Sequence, residues 1–326
     1  TNLKNKINKI INSRNCSIEN KVYGNFLLSK YEYKKKHYEE EFKLLEKGHK
    51  FFFELNALKF NHKVKYFLNK LPEMIKVKSE IKIDQKDICK YRPIFIIGVP
   101  RCGSTLIEKL IASGKNLIPV GEETGIFTNL YEKKITEGEN IYTDIENFKE
   151  DIIRNYEKKD LIKEENKFIF TDKSLDNFYY IPLIKQIFPN AKIINCKRNV
   201  LSSIMSIFKN NLPYLAWAHN LEHIFKYFNN YFEILKVFNK IYPNFIYELQ
   251  FEKLIDDPVN ESKKIMNYCE LPWDNKCLEF YKRKDLISKT ASNIHIRQGI
   301  YRHSLDKYLP YKKFLNIHAK KYSWYN

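Results

Sequence analysis

The sequence predicts an α/β fold: a P-loop-type parallel sheet flanked by helices, preceded by a helical hairpin. Three observations carry this expectation. Apolar, β-branched runs suited to buried strands begin at Pro93 and alternate with helical patterns as far as Cys269. The first run, Pro93-Ile94-Phe95-Ile96-Ile97-Gly98, enters a short loop that closes on Gly103-Ser104-Thr105, and an apolar helical pattern starts at Leu106. Three cations, Arg101, Lys173 and Arg198, each follow a predicted strand. Alternating strands and helices imply a parallel sheet covered on both faces. Ligands of such sheets bind at the carboxyl ends of the strands, where these three cations fall.

Taken in order, residues 1–60 read as a polar-amphipathic helical extension. Two helical patterns, Ser17–Tyr33 and Lys35–Leu55, form a hairpin, the second carrying Tyr38, Phe42, Leu45 and His49 at helical spacing. The hairpin resembles one degenerate tetratricopeptide unit. A single unit cannot bury its own face, so it must pack on the main domain or on repeats upstream; an ordinary helical extension fits equally. Residues 61–92 are a basic linker and helix with Pro72 near a break, and 93–326 form the main domain. There the strands are Phe95–Val99, Phe168–Thr171, Ala191–Cys196 and Asn244–Phe251. The helices are Leu106–Ser113, Glu122–Lys133, Tyr142–Lys159, Leu175–Phe188, a segment ending at Phe208, Tyr214–Ile241 and Pro258–Cys269. The tail from 285 to 312 is basic and aromatic, and reads either as a loop folding over a ligand or as plain surface.

Composition narrows the function. The 23 Phe and 23 Tyr among 326 residues support a sizeable core. No apolar run reaches the roughly 18 residues of a membrane span, and the Lys/Asn-rich start lacks a signal-peptide core, so a cytoplasmic protein with no membrane partner is expected. The first residue is Thr, which fits a piece of a longer protein. The six cysteines form no CxxC pair, so zinc and redox motifs are absent and reduced thiols are expected. The net charge of +18 suits an anionic partner, but no single basic block carries it and no nucleic-acid-reading motif is visible.

The loop carries the chemistry. Gly98-x4-Gly103-x-Thr105 has P-loop spacing, with Ser104 in place of the usual lysine. Such a loop aims backbone N–H groups and a helix start at an anion, and without its lysine it is poorly equipped for the γ-phosphate of ATP. Arg101 reads as a ligand to that anion or as a surface ion pair. Ser104 and Thr105 add hydroxyl donors and can cap the helix as well. Lys173 is a compact charge suited to a bridging or leaving oxygen. Arg198, with Ser202 and Ser206 four apart on one helix face, could hold a second phosphate. Glu122 and Glu123 stand at a predicted helix start, where the dipole favours a carboxylate; one of them could deprotonate an acceptor hydroxyl. No metal-ligand set accompanies these residues, so metal-free transfer is expected.

Together these residues resemble the superfamily of sulfotransferases that use 3′-phosphoadenylyl sulfate (PAPS). They are most similar to its branch of protein-tyrosine sulfotransferases and repeat-linked bacterial sulfotransferases. Gly98-Val99-Pro100-Arg101-Cys102-Gly103-Ser104-Thr105-Leu106 resembles the 5′-phosphosulfate loop, and Gly121-Glu122-Glu123-Thr124 the segment of the catalytic glutamate. Lys173 matches the lysine that assists the transition state, and Lys197-Arg198 through Ser206 the 3′-phosphate motif. Phe251-Glu252 to Asp257-Pro258, Leu271-Pro272-Trp273, and Thr290-Ala291-Ser292 through Tyr301 resemble the C-terminal half of the repeat-linked branch. The similarity covers 90–312. It implies sulfuryl transfer from PAPS to an acceptor hydroxyl, leaving the bisphosphate PAP. Arg101, Cys102, Gly103, Ser104, Thr105, Leu106, Arg198 and Ser206 would bind the donor, and Ser292, Arg297 and Tyr301 would close over it. The loop-to-glutamate spacing points to Glu122 as base and the GEET wording to Glu123; Glu122 is favoured. The best-matching acceptor is a protein tyrosine, with a carbohydrate or small-molecule hydroxyl as alternative. A nucleotide kinase is disfavoured by Ser104, whereas a helical-repeat interaction module with a vestigial nucleotide site is a distinct reading. Four positions depart from the family: Cys102 for Ser, Asn199 for Asp, Phe251 for Tyr and Tyr308 for Trp.

Overall fold

Strand β1 (Ile94–Gly98) has all five residues buried, as its uninterrupted apolar run requires of a strand covered on both faces. In the computed structural model, which describes residues 2–78, 89–162, 168–283, 285–286 and 306–325, it lies inside a four-stranded sheet with β2 (Thr171–Asp172), β3 (Lys192–Lys197) and β4 (Ile246–Gln250). The order is β2-β1-β3-β4 and every pairing is parallel. Ile94 lies opposite Thr171 on one side and Lys192 on the other, and Gly98 opposite Cys196. This register places the ends of β2, β1 and β3 side by side.

The helices, in chain order, are α1 (Asn2–Ile11), α2 (Ile18–Lys34), α3 (Tyr38–Leu55), α4 (Ala57–Lys65), α5 (Leu71–Lys78), α6 (Ser104–Ala112), α7 (Ile126–Thr136) and α8 (Ile145–Lys158). They continue with α9 (Ile181–Ile187), α10 (Val200–Phe208), α11 (Leu221–Ile241), α12 (Phe251–Asp256), α13 (Pro258–Tyr268) and α14 (Lys312–Ala319). Three expected elements are drawn differently. The Leu175–Phe188 pattern splits into a 3-10 turn (Leu175–Tyr180) and α9, with Pro182 in the first turn of the latter. The Tyr214–Ile241 pattern splits into a 3-10 turn (Ala216–His219) and α11. The second strand starts only at Thr171, because Phe168 and Phe170 accept from Arg92 and Ile94 as an irregular lead-in.

The chain divides into two compact units. One comprises Thr1–Met74, Val200–Glu233 and Leu305–Asn326; the other, Ile75–Asn199 and Ile234–Ser304, holds the sheet. In the first unit the hairpin of α2 and α3 buries its apolar stripe on later segments of the same unit. Phe42 stacks on Phe314 at 4.4 Å, and Tyr38 meets Tyr311 edge-on at 5.5 Å. The Tyr311 hydroxyl donates to Glu41, which also pairs with Lys209 at 3.1 Å. His49 Nδ1 faces His219 Nδ1 at 3.0 Å, and His49 Nε2 reaches the Phe208 carbonyl at 2.6 Å. Burial pushes both imidazoles below their ordinary value, His49 to about 4 and His219 to about 3. The hairpin thus finds the partner surface that its exposed stripe demanded. Among the described residues, no helix is long and apolar enough to cross a membrane.

Candidate active site

The loop between β1 and α6 is shaped by positive-φ residues. Arg101 has φ 72° and Gly103 φ 103°, ψ 7°, so the chain reverses tightly and delivers Ser104 to the start of α6. Leu106 N–H and Ile107 N–H close the first turn on the Gly103 carbonyl at 3.0 and 3.3 Å. Left-handed backbone beside a helix start gathers N–H groups into an anion-binding concavity. Ser104 and Thr105 are buried at that start, and Leu106 is half-buried. Cys102 is fully buried against Cys196; hydrogen bonding from that thiol and the Ser104 groups outweighs burial and lowers its thiol. The loop has close support from β4's side: a Cβ on Gly103 would lie 2.3 Å from Phe251 Cδ2.

Arg198 follows β3 and meets the same loop. Its Nη1 donates to the Arg101 carbonyl at 3.1 Å, and its guanidinium lies 5.1 Å over the Phe251 ring. Phe251 is therefore a shared floor beneath Gly103 and Arg198, a role its lost hydroxyl did not suggest. Asn199 donates its N–H to Glu252 at 2.8 Å, fixing the turn after Arg198. Ser206 stands half-buried on α10 in the other compact unit. Ser292, Arg297 and Tyr301 lie outside the described residues.

Lys173 follows β2 and is fully buried. Its ammonium lies 2.6 Å from Glu123 Oε1 and 3.8 Å from Glu122 Oε1. Burial disfavours its charge, but the carboxylates of Glu123, Glu108 and Glu122 overbalance that penalty and raise the ammonium above its ordinary value. The two glutamates do not sit at a helix start, as the sequence suggested. Residues 119–122 run as an extended strip beside β2, and the chain turns at Glu123, which has φ 51°. Thr171 N–H donates to the Pro119 carbonyl at 3.0 Å, Lys173 N–H to the Gly121 carbonyl at 2.9 Å, and Glu123 N–H to the Lys173 carbonyl at 3.2 Å. Only glycine allows that approach at 121, since a Cβ there would be 2.3 Å from the Thr171 carbonyl oxygen. Helix α7 begins later, at Ile126, after Gly125 at φ 61°. The carboxylates are thus held by backbone pairing rather than by a helix dipole. Glu122 is nearly buried, whereas the Glu123 side chain is half exposed.

Sequence reasoning missed two buried acids around this lysine. Asp172 accepts from Tyr156 Oη at 2.6 Å, Thr124 Oγ1 at 2.7 Å, Ser174 Oγ at 2.8 Å, Ser174 N at 3.0 Å and Asn177 Nδ2 at 3.2 Å. It ties the 124–125 and 174–177 segments to the lysine's strand. Its signal was the Thr-Asp-Lys-Ser string at a strand end, where acids are rarely surplus. Glu108, on α6, accepts from Thr171 Oγ1 at 2.9 Å and is fully buried. It stood among Leu106, Ile107, Leu110 and Ile111, a helix face with no polar reason for an acid.

The donor set suits an anion with two separated charged groups. Two guanidiniums and an ammonium stand after three adjacent strands, beside a loop with left-handed backbone at Arg101 and Gly103 and a helix start that adds two hydroxyls. Among the described residues, no group of three or more His, Cys, Asp or Glu could hold a metal ion.

Comparison with known proteins agrees with this chemistry. A model described as the sulfotransferase family matches residues 93–275. An uncharacterised protein of Aquifex aeolicus is 30% identical over 324 residues, covering 94% of this chain and 42% of its own length, so the chain spans less than half of that relative. Among solved structures, the sulfotransferase domain of the Synechococcus olefin synthase aligns at TM-score 0.46 and 18% identity, over 73% of this chain and 98% of that one. A sulfotransferase of Mycobacterium tuberculosis aligns at TM-score 0.41 and 12% identity, over 90% and 94%. The match of the family model across the whole sheet, from the loop strand to the segment after α13, shows that the chain belongs to the sulfotransferase family, whose reaction is sulfuryl transfer.

Proposed function

We propose that the protein transfers a sulfuryl group from PAPS to an acceptor hydroxyl, with Glu122 as general base and Lys173 as the cation on the leaving oxygen. The observation that carries this reading is the buried Lys173 ammonium placed between two glutamates at the end of β2, next to β1 and its loop. Arg101, Ser104, Thr105 and the loop N–H groups hold the 5′-phosphosulfate, with Cys102, Gly103 and Leu106 shaping the loop. Arg198 serves the 3′-phosphate.

In the reaction the acceptor oxygen forms a bond to sulfur while the bond from sulfur to the bridging phosphate oxygen breaks. The acceptor proton passes to Glu122. The electron pair of the broken bond stays on the phosphate oxygen of PAP, and Lys173 offsets the charge growing there. The division between the glutamates follows from their surroundings. Glu123 is in direct contact with the ammonium at 2.6 Å, which engages its Oε1 in that ion pair. Glu122 is nearly buried and stands farther from the ammonium, at 3.8 Å, on the side where the acceptor would approach in this reading. The net charge of +18 favours acceptors set among acidic groups, such as a tyrosine in an acidic peptide. The competing acceptor, a sugar or small-molecule hydroxyl, uses the same bond changes.

The test is single-turnover transfer from labelled PAPS across a panel of tyrosine peptides, glycans and small hydroxyl compounds, read by mass spectrometry. Glu122→Gln should slow transfer by about 100-fold or more, the usual worth of a general base, and Glu123→Gln by less. Full rate in both variants with an identified acceptor removes the base assignment. PAP binding with no transfer to any acceptor would favour a vestigial nucleotide site.

A further inference from the structure

Glu108 is a carboxyl that the transfer reaction does not use. It is fully buried on α6, within the apolar helix that follows the donor loop. Its Oε1 accepts from the Thr171 hydroxyl at 2.9 Å, and that hydroxyl in turn accepts from Gly121 N–H at 3.1 Å. The relay therefore joins Glu108 to the backbone strip carrying Glu122 and ending at Glu123. Its Oε2 is also buried and has no protein hydrogen-bond partner among the described residues. A carboxylate with one oxygen so placed is costlier than a neutral carboxyl. The charged groups facing it are Lys173 beyond β2, Lys109 on its own helix and Glu122 on the strip. Glu123 acts on the cluster through Lys173. Three carboxyls thus share a buried lysine, and the donor adds further negative charge beside them.

We propose that Glu108 is a positioning residue that takes up a proton when the anionic donor enters, so that the buried cluster around Lys173 sheds negative charge as the donor adds it. The inference rests on the sulfuryl-transfer reading of the site. Of the three carboxyls, Glu108 alone is fully sealed from solvent and makes no ion pair with the ammonium. Burial pushes its carboxyl up to about 7, against the pull of Lys173 and the Thr171 hydroxyl. Near neutrality it stands poised between its two forms, and a nearby anion shifts it to the neutral one. The charge that the donor brings is then partly cancelled inside the protein, where water cannot screen it.

The experiment is calorimetric titration of PAP into the protein in buffers of different ionisation enthalpy, which measures protons taken up on binding. A tenfold rise in the proton affinity of Glu108 gives about half a proton per site near pH 7.5. It also weakens PAP binding about eightfold between about pH 6 and about pH 9. PAP brings the same phosphate ionisations to every variant, so the difference between the parent protein and Glu108→Gln isolates this residue. Glu108→Gln should lose that half proton and that eightfold dependence. Thr171→Val, which removes the donor favouring the charged form, should move the window of proton uptake to higher pH. Identical uptake in the parent and Glu108→Gln overturns the proposal. If Glu108→Gln does not fold, an unmoved window in Thr171→Val overturns it. Absence of any PAP binding overturns the donor reading and this proposal with it, whereas PAP binding without the Glu108-dependent proton overturns this proposal alone.

Discussion

Replacing Gly103 by alanine tests the donor loop where its geometry is most demanding. The residue has φ 103°, and an added Cβ would fall 2.3 Å from Phe251 Cδ2 and 2.4 Å from Cε2. Two costs follow and they are separable. An L-residue held in a left-handed conformation loses about 1–2 kcal/mol. Forcing a methyl into a packed ring costs about 1–3 kcal/mol more. The ring has little room to yield, since Phe251 is buried and carries the Arg198 guanidinium on its face. Gly103→Ala should therefore cost about 2–5 kcal/mol, measured by denaturant unfolding. PAP affinity should drop at least tenfold, because each 1.4 kcal/mol of loop displacement is a factor of about ten. The decisive comparison is a double-mutant cycle with Phe251→Ala. Without the ring only the backbone cost remains, so Gly103→Ala should then cost about 1–2 kcal/mol. An equal penalty with and without Phe251, or a penalty below about 1 kcal/mol in the parent, would refute the account of the loop.

Two further outcomes follow from the buried polar groups. Asp172→Asn replaces an acceptor oxygen by an NH2 facing donors, so two hydrogen bonds are lost at about 1–3 kcal/mol each. Stability should fall by about 2 kcal/mol or more, and hydrogen exchange at Gly125 N–H, held by Ser174 Oγ at 2.9 Å, should quicken. A loss below about 0.5 kcal/mol would show the five contacts to be dispensable. The His49–His219 pair predicts a pH dependence. Both imidazoles have depressed values in the folded state, so the unfolded chain binds more protons below about pH 6.5. Stability should then rise with pH between about 3 and about 6.5 and level off above. His49 alone, held at about 4, contributes about 3 kcal/mol across that window. His49→Phe should flatten the slope in denaturant unfolding, and an unchanged slope would contradict the assignment.

Local signals made much of the site legible in the sequence. The strand Ile94–Gly98 and its loop follow from an apolar run ending in glycines. Lys173 and Arg198 could be placed because strand ends are marked by a switch from apolar to charged residues. The position of the two glutamates was illegible for a physical reason. Glu122 is fixed by backbone pairing with Lys173, some 50 residues later, and an acidic pair ahead of an apolar pattern looks like a helix start. The informative residue was Gly121, whose need for close approach to Thr171 appears only once the strip and β2 are side by side. Asp172 and Glu108 were illegible for a related reason. A polar residue within an apolar pattern shows its partners only in three dimensions, and here those partners come from Tyr156, Thr124 and Thr171 on other elements.

The loop's missing lysine can be read as a redistribution of charge. In a P-loop of the usual kind the cation and the N–H cradle belong to one segment, so they move together. Here Ser104 is buried at the lysine's position, and the ammonium comes from the end of the neighbouring edge strand. That strand is only two residues long, too short to fix a side chain through its own ladder. Its hold on Lys173 comes from the 119–122 strip on one side and from Asp172 with its five donors. The cradle, in contrast, depends on Gly103, Phe251 and Arg198. The loop and the lysine thus rest on separate supports. Substitutions around Phe251 should act first on donor affinity, and substitutions around Asp172 first on the transfer step. A lysine inside the loop would not allow that separation.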